Sequence, residues 1–125
     1  MGGEADKLFS FQELKVWQKS VLFAEQVIRT IDDIDAPRKH YRLIEQLESA
    51  CTSVSMNIAE GKGRQTTKEF IQFLYIARGS LFEVVTLLII FKNLGWLKTQ
   101  RFLEIQNMAL EITKMLNSLI KSMKK

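Results

Sequence analysis

The chain has 125 residues, 46% of them hydrophobic, which supports one folded domain with a core and excludes a disordered polyelectrolyte. Its only cysteine, Cys51, excludes an internal disulfide and fits a reducing compartment, so a cytoplasmic protein is expected. The net charge of +4 is unevenly spread: residues 1–60 hold ten acids and seven Lys or Arg (net −3), and residues 61–125 hold four and eleven (net +7).

Residues 1–9 contain Gly2-Gly3 and mixed charge and read as a flexible tail. They lack the basic start and apolar run of a secretory signal. The remainder, residues 10–125, reads as one all-α domain. Ser10 with Glu13 has the spacing of a capping box. A first helix is expected over 10–34, because Phe11, Leu14, Trp17, Val21, Ala24, Ile28 and Ile31 recur every three or four positions. Val16, Phe23, Val27 and Ile34 form a second apolar edge. One bundle face needs only one stripe, so the surplus predicts a subunit contact.

Pro37 excludes helical geometry at Ala36 and suits the first turn of a second helix, expected over 38–62. Its core positions are Leu43, Leu47, Ala50, Cys51, Val54 and Ile58. Ser49, Thr52, Ser53 and Ser55 lie around them and let another helix come close. The stretch from Ser53 to Arg64 organises the middle of the chain. Asn57 lies beside the apolar face, where its amide must find partners. Glu60 falls in the last turn, where the helix dipole disfavours an anion and a nearby cation is expected. Gly61 and Gly63 are expected to take positive φ and stop the helix.

Thr66 with Glu69 is a second capping box and opens a third helix over 67–93. Phe70, Phe73, Leu74, Ala77, Leu81, Val84, Val85, Leu88 and Phe91 cover more than half its circumference, so it should be the most buried. Its longest apolar run, Val84 to Phe91, is broken by Thr86 and is short against the roughly 20 residues that span a bilayer, so no membrane partner is expected. Gly79 in mid-helix suggests close backbone packing, and Gly95 sits at the stop position. Thr99 is expected to cap a fourth helix over 99–122. There Phe102, Ile105, Ala109, Ile112, Leu116, Leu119 and Met123 form a heptad seam. Four long helices with short connections predict an antiparallel up-down-up-down four-helix bundle.

Several of these segments match a known family. Phe11-Gln12-Glu13-Leu14-Lys15-Val16-Trp17, Asn57-Ile58-Ala59-Glu60-Gly61 followed by Arg64, Phe70 to Leu74, Gly79 to Glu83, and Leu94-Gly95-Trp96-Leu97 occur in order over residues 11–120. The chain thereby resembles the bacterial four-helix-bundle proteins linked to 23S rRNA intervening sequences, often labelled ribosomal proteins. Ser55-Met56 departs from the pattern, since many members carry a proline in this stretch. The resemblance implies a bundle that assembles as a ring, in several members a pentamer. It also implies kinship with the accessory protein of diversity-generating retroelements, which works with a reverse transcriptase and nucleic acid.

The residues themselves point weakly to chemistry. His40 has no Glu-x-x-His companion and no metal or other cofactor is expected. No nucleophile–base pair or phosphate loop is visible, so an enzyme is not expected. Asn57, Glu60, Arg64, Ser80 and Glu83 are expected to form a structural polar network between the second and third helices. The rival reading is a general acid/base pair among Glu60, Arg64 and Glu83. Lys62, Arg64 and Lys68 surround the free N–H groups that open the third helix, an arrangement suited to phosphate. Lys114, Lys121, Lys124 and Lys125 extend a basic rim. A ring of subunits would multiply such sites into binding of RNA or DNA backbone. The alternative is a protein–protein adaptor with an incidental basic surface.

Overall fold

A computed structural model of the chain describes residues 8–36 and 40–124. Four helices follow one another: α1 (Lys15–Ile31), α2 (Tyr41–Lys62), α3 (Thr67–Asn93) and α4 (Thr99–Met123). No strand occurs among the described residues. Each helix packs on its sequence neighbours and α4 closes on α1, with the α2–α3 seam the most extensive. This is the antiparallel up-down-up-down bundle that short connections favour. The expected tail lies mostly outside the described residues, as do Pro37 and the expected start of α2 at Arg38.

The interior holds one apolar cluster. Phe23 and Val27 of α1, Leu47, Val54 and Ile58 of α2, Leu74, Leu81 and Phe91 of α3, and Ile105, Ile112 and Leu116 of α4 are all buried in it. The seam on α4 runs as expected through Leu116, after which Ile120 rather than Leu119 is the buried residue.

The start of α1 differs from expectation. Ser10–Glu13 is a separate 3-10 turn, and the helix begins at Lys15 after an extended Leu14. No capping bond from Ser10 forms. Phe9 rather than Ser10 occupies the N-cap position, and Gln12 Oε1 takes the Phe9 N–H at 2.8 Å. Phe11 and Leu14 therefore stand outside the helix, and a stripe phased from them is rotated off the core. Val16, Ser20, Phe23, Ala24, Val27 and Thr30 are buried, whereas Ile28 is exposed. The edge expected to face a neighbouring subunit faces the bundle instead.

Thr66 caps α3 as expected, accepting the Glu69 N–H at 3.1 Å. Thr99 does not cap α4; Lys98 is the N-cap and gives no side-chain bond. Gly95 adopts φ 81° and ends α3. Its N–H donates to Lys92 O at 3.0 Å, and that of Trp96 to Phe91 O at 2.9 Å. This is the Schellman arrangement, completed by Trp96 packing on Phe91 with ring centroids 5.5 Å apart.

The other glycines act differently from expectation. Gly61 lies inside α2 and is buried. A Cβ there would sit 2.6 Å from Phe73 Cβ and 2.9 Å from Phe70 Cδ1. Gly61 is a crossing point for α3, not a helix stop. Gly63 caps α2 at φ −83°, a right-handed conformation. Gly79 faces open space, with nothing within 4 Å of a built Cβ, so no backbone of this chain packs there.

Among the described residues, α3 is the one helix long and apolar enough, by length and composition, to cross a membrane, and 33% of its most apolar window is buried. Its 27 residues include Arg78 and Glu83. Tyr75, Ile76, Phe82, Ile89 and Ile90 are exposed on it, and Leu103 and Leu110 beside it on α4. The third helix thus contributes both to the core and to an uncovered apolar face.

Candidate functional site

The α2–α3 register decides which of the sequence-predicted residues meet. Gly61 lies against Phe70 and Phe73, Ser53 Oγ is 2.8 Å from Ser80 Oγ, and Gln46 Nε2 donates to Glu83 Oε2 at 3.0 Å. The five residues expected as one network fall into three groups. Asn57 Nδ2 donates to Ser53 O and Ser53 Oγ, both at 2.8 Å, and through Ser53 reaches Ser80. Arg64, just past the end of α2, pairs with Glu60 of its last turn at 2.8 Å, the cation that the C-terminal dipole calls for. Glu83 belongs with Gln46.

The acid/base alternative fails on the same register. Glu83 stands opposite Gln46, 14 positions from Glu60, which is about 21 Å along the axis. Ser53, which sequence reasoning placed only among the small residues, is the hinge of the interhelical hydrogen bonds. Arg101 was also missed: its Nε donates to the buried Thr30 Oγ1 at 2.8 Å and its NH2 to Gln26 Oε1 at 3.0 Å, tying α4 to α1. Nothing in the local pattern marks a contact 71 residues distant.

The basic residues converge where α2 ends, α3 begins and α4 ends. Arg64 lies over the Phe73 ring at 4.7 Å and Lys62 over Phe70 at 5.9 Å. Lys62 is half-buried and Arg64 is engaged by Glu60, so neither presents a bare charge. Lys68 is exposed. It borders one hollow with Arg64, Glu69, Gln72 and Phe73, and a second with Tyr75, Met123 and Lys124. Through Lys68 the α2–α3 turn and the end of α4 thereby share one surface, basic apart from Glu60 and Glu69. Lys124 Nζ donates to Tyr75 Oη at 3.2 Å. Lys114 and Lys121 are exposed on α4, three before and four after Asn117, and therefore share its face. Asn117 Oδ1 accepts from Arg78 NH1 at 2.7 Å. The acidic turn Asp32, Asp33 and Asp35 lies at the opposite end of the bundle.

Cys51 is fully buried, and its Sγ–H points to Glu48 O at 3.3 Å. Burial first, and the Glu48 charge second, push its thiol up to about 11. Among the described residues no three His, Cys, Asp or Glu side chains are grouped to hold a metal ion.

An all-helical, up-down-up-down bundle with a basic α3–α4 end is the class of protein these features define. The sequence profile of the family described as 23S rRNA-intervening sequence protein matches residues 12–118, and the chain belongs to that family. It is similar to a crystal structure of a protein with unknown function from the S23 ribosomal protein family of Bacteroides thetaiotaomicron. The TM-score is 0.78 at 27% identity, covering 85% of this chain and 98% of the other. No curated protein matches the chain.

Proposed function

We propose that the protein is a non-enzymatic, backbone-directed nucleic-acid-binding or scaffolding protein that acts as a homo-oligomer in the cytoplasm. One observation carries the reading: Lys68 joins the α2–α3 turn to the α4 end, so that Lys62, Arg64, Lys68, Lys121 and Lys124 lie around one end of the fold. Each contact is weak alone, and repetition around a ring adds them. Family resemblance favours a pentamer, with RNA or DNA as ligand and a reverse transcriptase as a candidate protein partner. The exposed Ile89, Ile90, Leu103 and Leu110 support self-association.

The test is a titration with mixed-sequence RNA and duplex DNA at low and physiological salt. Binding falls steeply as salt rises and shows little sequence preference. Replacing Lys62, Arg64 and Lys68 together with alanine weakens binding and flattens the salt slope while the oligomer persists. Because Arg64 is already paired, adding Lys121→Ala and Lys124→Ala deepens the loss. Absence of binding even at low salt ends this reading and leaves the adaptor, which the uncovered apolar face supports.

A further inference from the structure

Tyr75, Arg78 and Phe82 stand at i, i+3 and i+7 on α3, on one face of the helix. The Arg78 guanidinium lies over the Tyr75 ring at 4.9 Å and over the Phe82 ring at 5.9 Å. Asn117 on α4 holds it there with the 2.7 Å bond. Lys124 Nζ lies off the hydroxyl edge of the Tyr75 ring, 3.2 Å from Tyr75 Oη. The two rings are two turns apart, about 10.5 Å along the axis. Tyr75 is 37% exposed and Phe82 50% exposed.

The stretches that flank the rings are basic, and the carboxylates that bound them are engaged elsewhere, Glu83 by Gln46 and Glu111 by Lys19. Residues 70–82 contain Arg78 and no carboxylate; residues 112–124 contain Lys114, Lys121 and Lys124 and no carboxylate. An apolar ligand or an acidic peptide explains only one half of this pattern. Planar groups that alternate with cations fit a ligand that alternates planar bases with phosphates.

We propose that Tyr75, Arg78 and Phe82 form a stacking platform for the bases of a single-stranded nucleic acid, whose phosphates run along Lys114, Lys121 and Lys124. This rests on the backbone-binding reading above and specifies the form of nucleic acid. In a duplex the base faces are occupied by their neighbours, so the rings discriminate by exposure and not by sequence.

The experiment compares a labelled mixed-sequence 20-nucleotide single strand with the same sequence as a duplex, using the full chain and fluorescence anisotropy at two salt concentrations. The wild type prefers the single strand. Tyr75→Leu with Phe82→Leu keeps apolar bulk and removes both π faces; single-strand affinity falls about 10- to 100-fold and duplex affinity changes less than about threefold. Arg78→Lys keeps the charge, so the salt slope holds while the single-strand preference shrinks. Sedimentation of each variant matches the wild type. Equal binding of both forms, untouched by these substitutions, overturns the platform and leaves backbone binding standing. Loss of the assembly in the Leu variants also overturns it, by making the rings a subunit contact. No binding of either form at low salt overturns both readings.

Discussion

Gly61→Ala is the substitution whose cost the structure fixes most closely. The added methyl would meet Phe73 Cβ at 2.6 Å, Phe70 Cδ1 at 2.9 Å and Phe70 O at 3.3 Å. The first distance is roughly 1 Å short of the optimum for two carbons. A ring edge swings away cheaply, but Cβ is tied to its backbone, so α3 itself must move out along the most extensive seam of the bundle. Overpacking of this kind costs about 1–3 kcal/mol, and a rigid contact belongs near the top of that range. Alanine's better helix propensity returns about 1 kcal/mol. The net loss is about 2 kcal/mol, which lowers Tm by roughly 6–10 °C in a domain of this size. Thermal unfolding followed by circular dichroism at 222 nm measures it. Gly63→Ala is the control, since its Cβ would meet nothing nearer than Glu60 O at 3.6 Å and its φ of −83° suits any residue. If Gly61→Ala melts with Gly63→Ala, the crossing is not sterically limited and the reasoning fails.

Gly79→Ala raises Tm by a few degrees, because the site is open and helix propensity alone is worth about 1 kcal/mol; a fall in Tm would instead put a second chain against that face. Asn57→Leu removes the amide that bonds Ser53 and destabilises by about 1–2 kcal/mol, read as a lower urea midpoint; an unchanged midpoint would free Asn57 from a structural role. Stability also falls in alkali. Cys51 is raised from 9.0 to about 11 in the fold, so the unfolded chain releases its proton first. Its contribution is full below pH 9 and lost up to 11, at no more than about 1.4 kcal/mol per pH unit. Cys51→Ala should flatten that slope in denaturant titrations at increasing pH, and an equal slope in both proteins would contradict it.

Elements set by local chemistry were legible. Thr66 with Glu69 and Leu94 with Gly95 mark the two ends of α3, and its bounds came out as 67–93. Where two local signals competed, the sequence left the choice open. α1 carries two apolar stripes, and only the early 3-10 turn over Ser10–Glu13 settles which one turns inward. Glycine is ambiguous in the same way: a reversed φ and a close crossing call for the same residue, and Gly61 proved to be the second kind. The basic residues of the candidate site were individually visible. Their continuity was not, because Lys68 and Lys124 meet only through the antiparallel return of α4. The Glu60–Glu83 separation likewise depends on a register that periodicity does not specify.

The burial of Cys51 in the α1–α2 seam also makes a kinetic instrument. Its Sγ is 3.9 Å from Ala24 O across that seam and has no exposed surface. A labelling reagent reaches it only when the two helices part, so trapping in native buffer reports the opening rate where labelling outruns reclosing and the open population where it does not. With no second thiol in the chain, every adduct reports the same event. A disulfide-linked dimer, formed only where an oxidant such as dissolved oxygen takes up the two electrons and two protons, would record two chains that had both opened this seam.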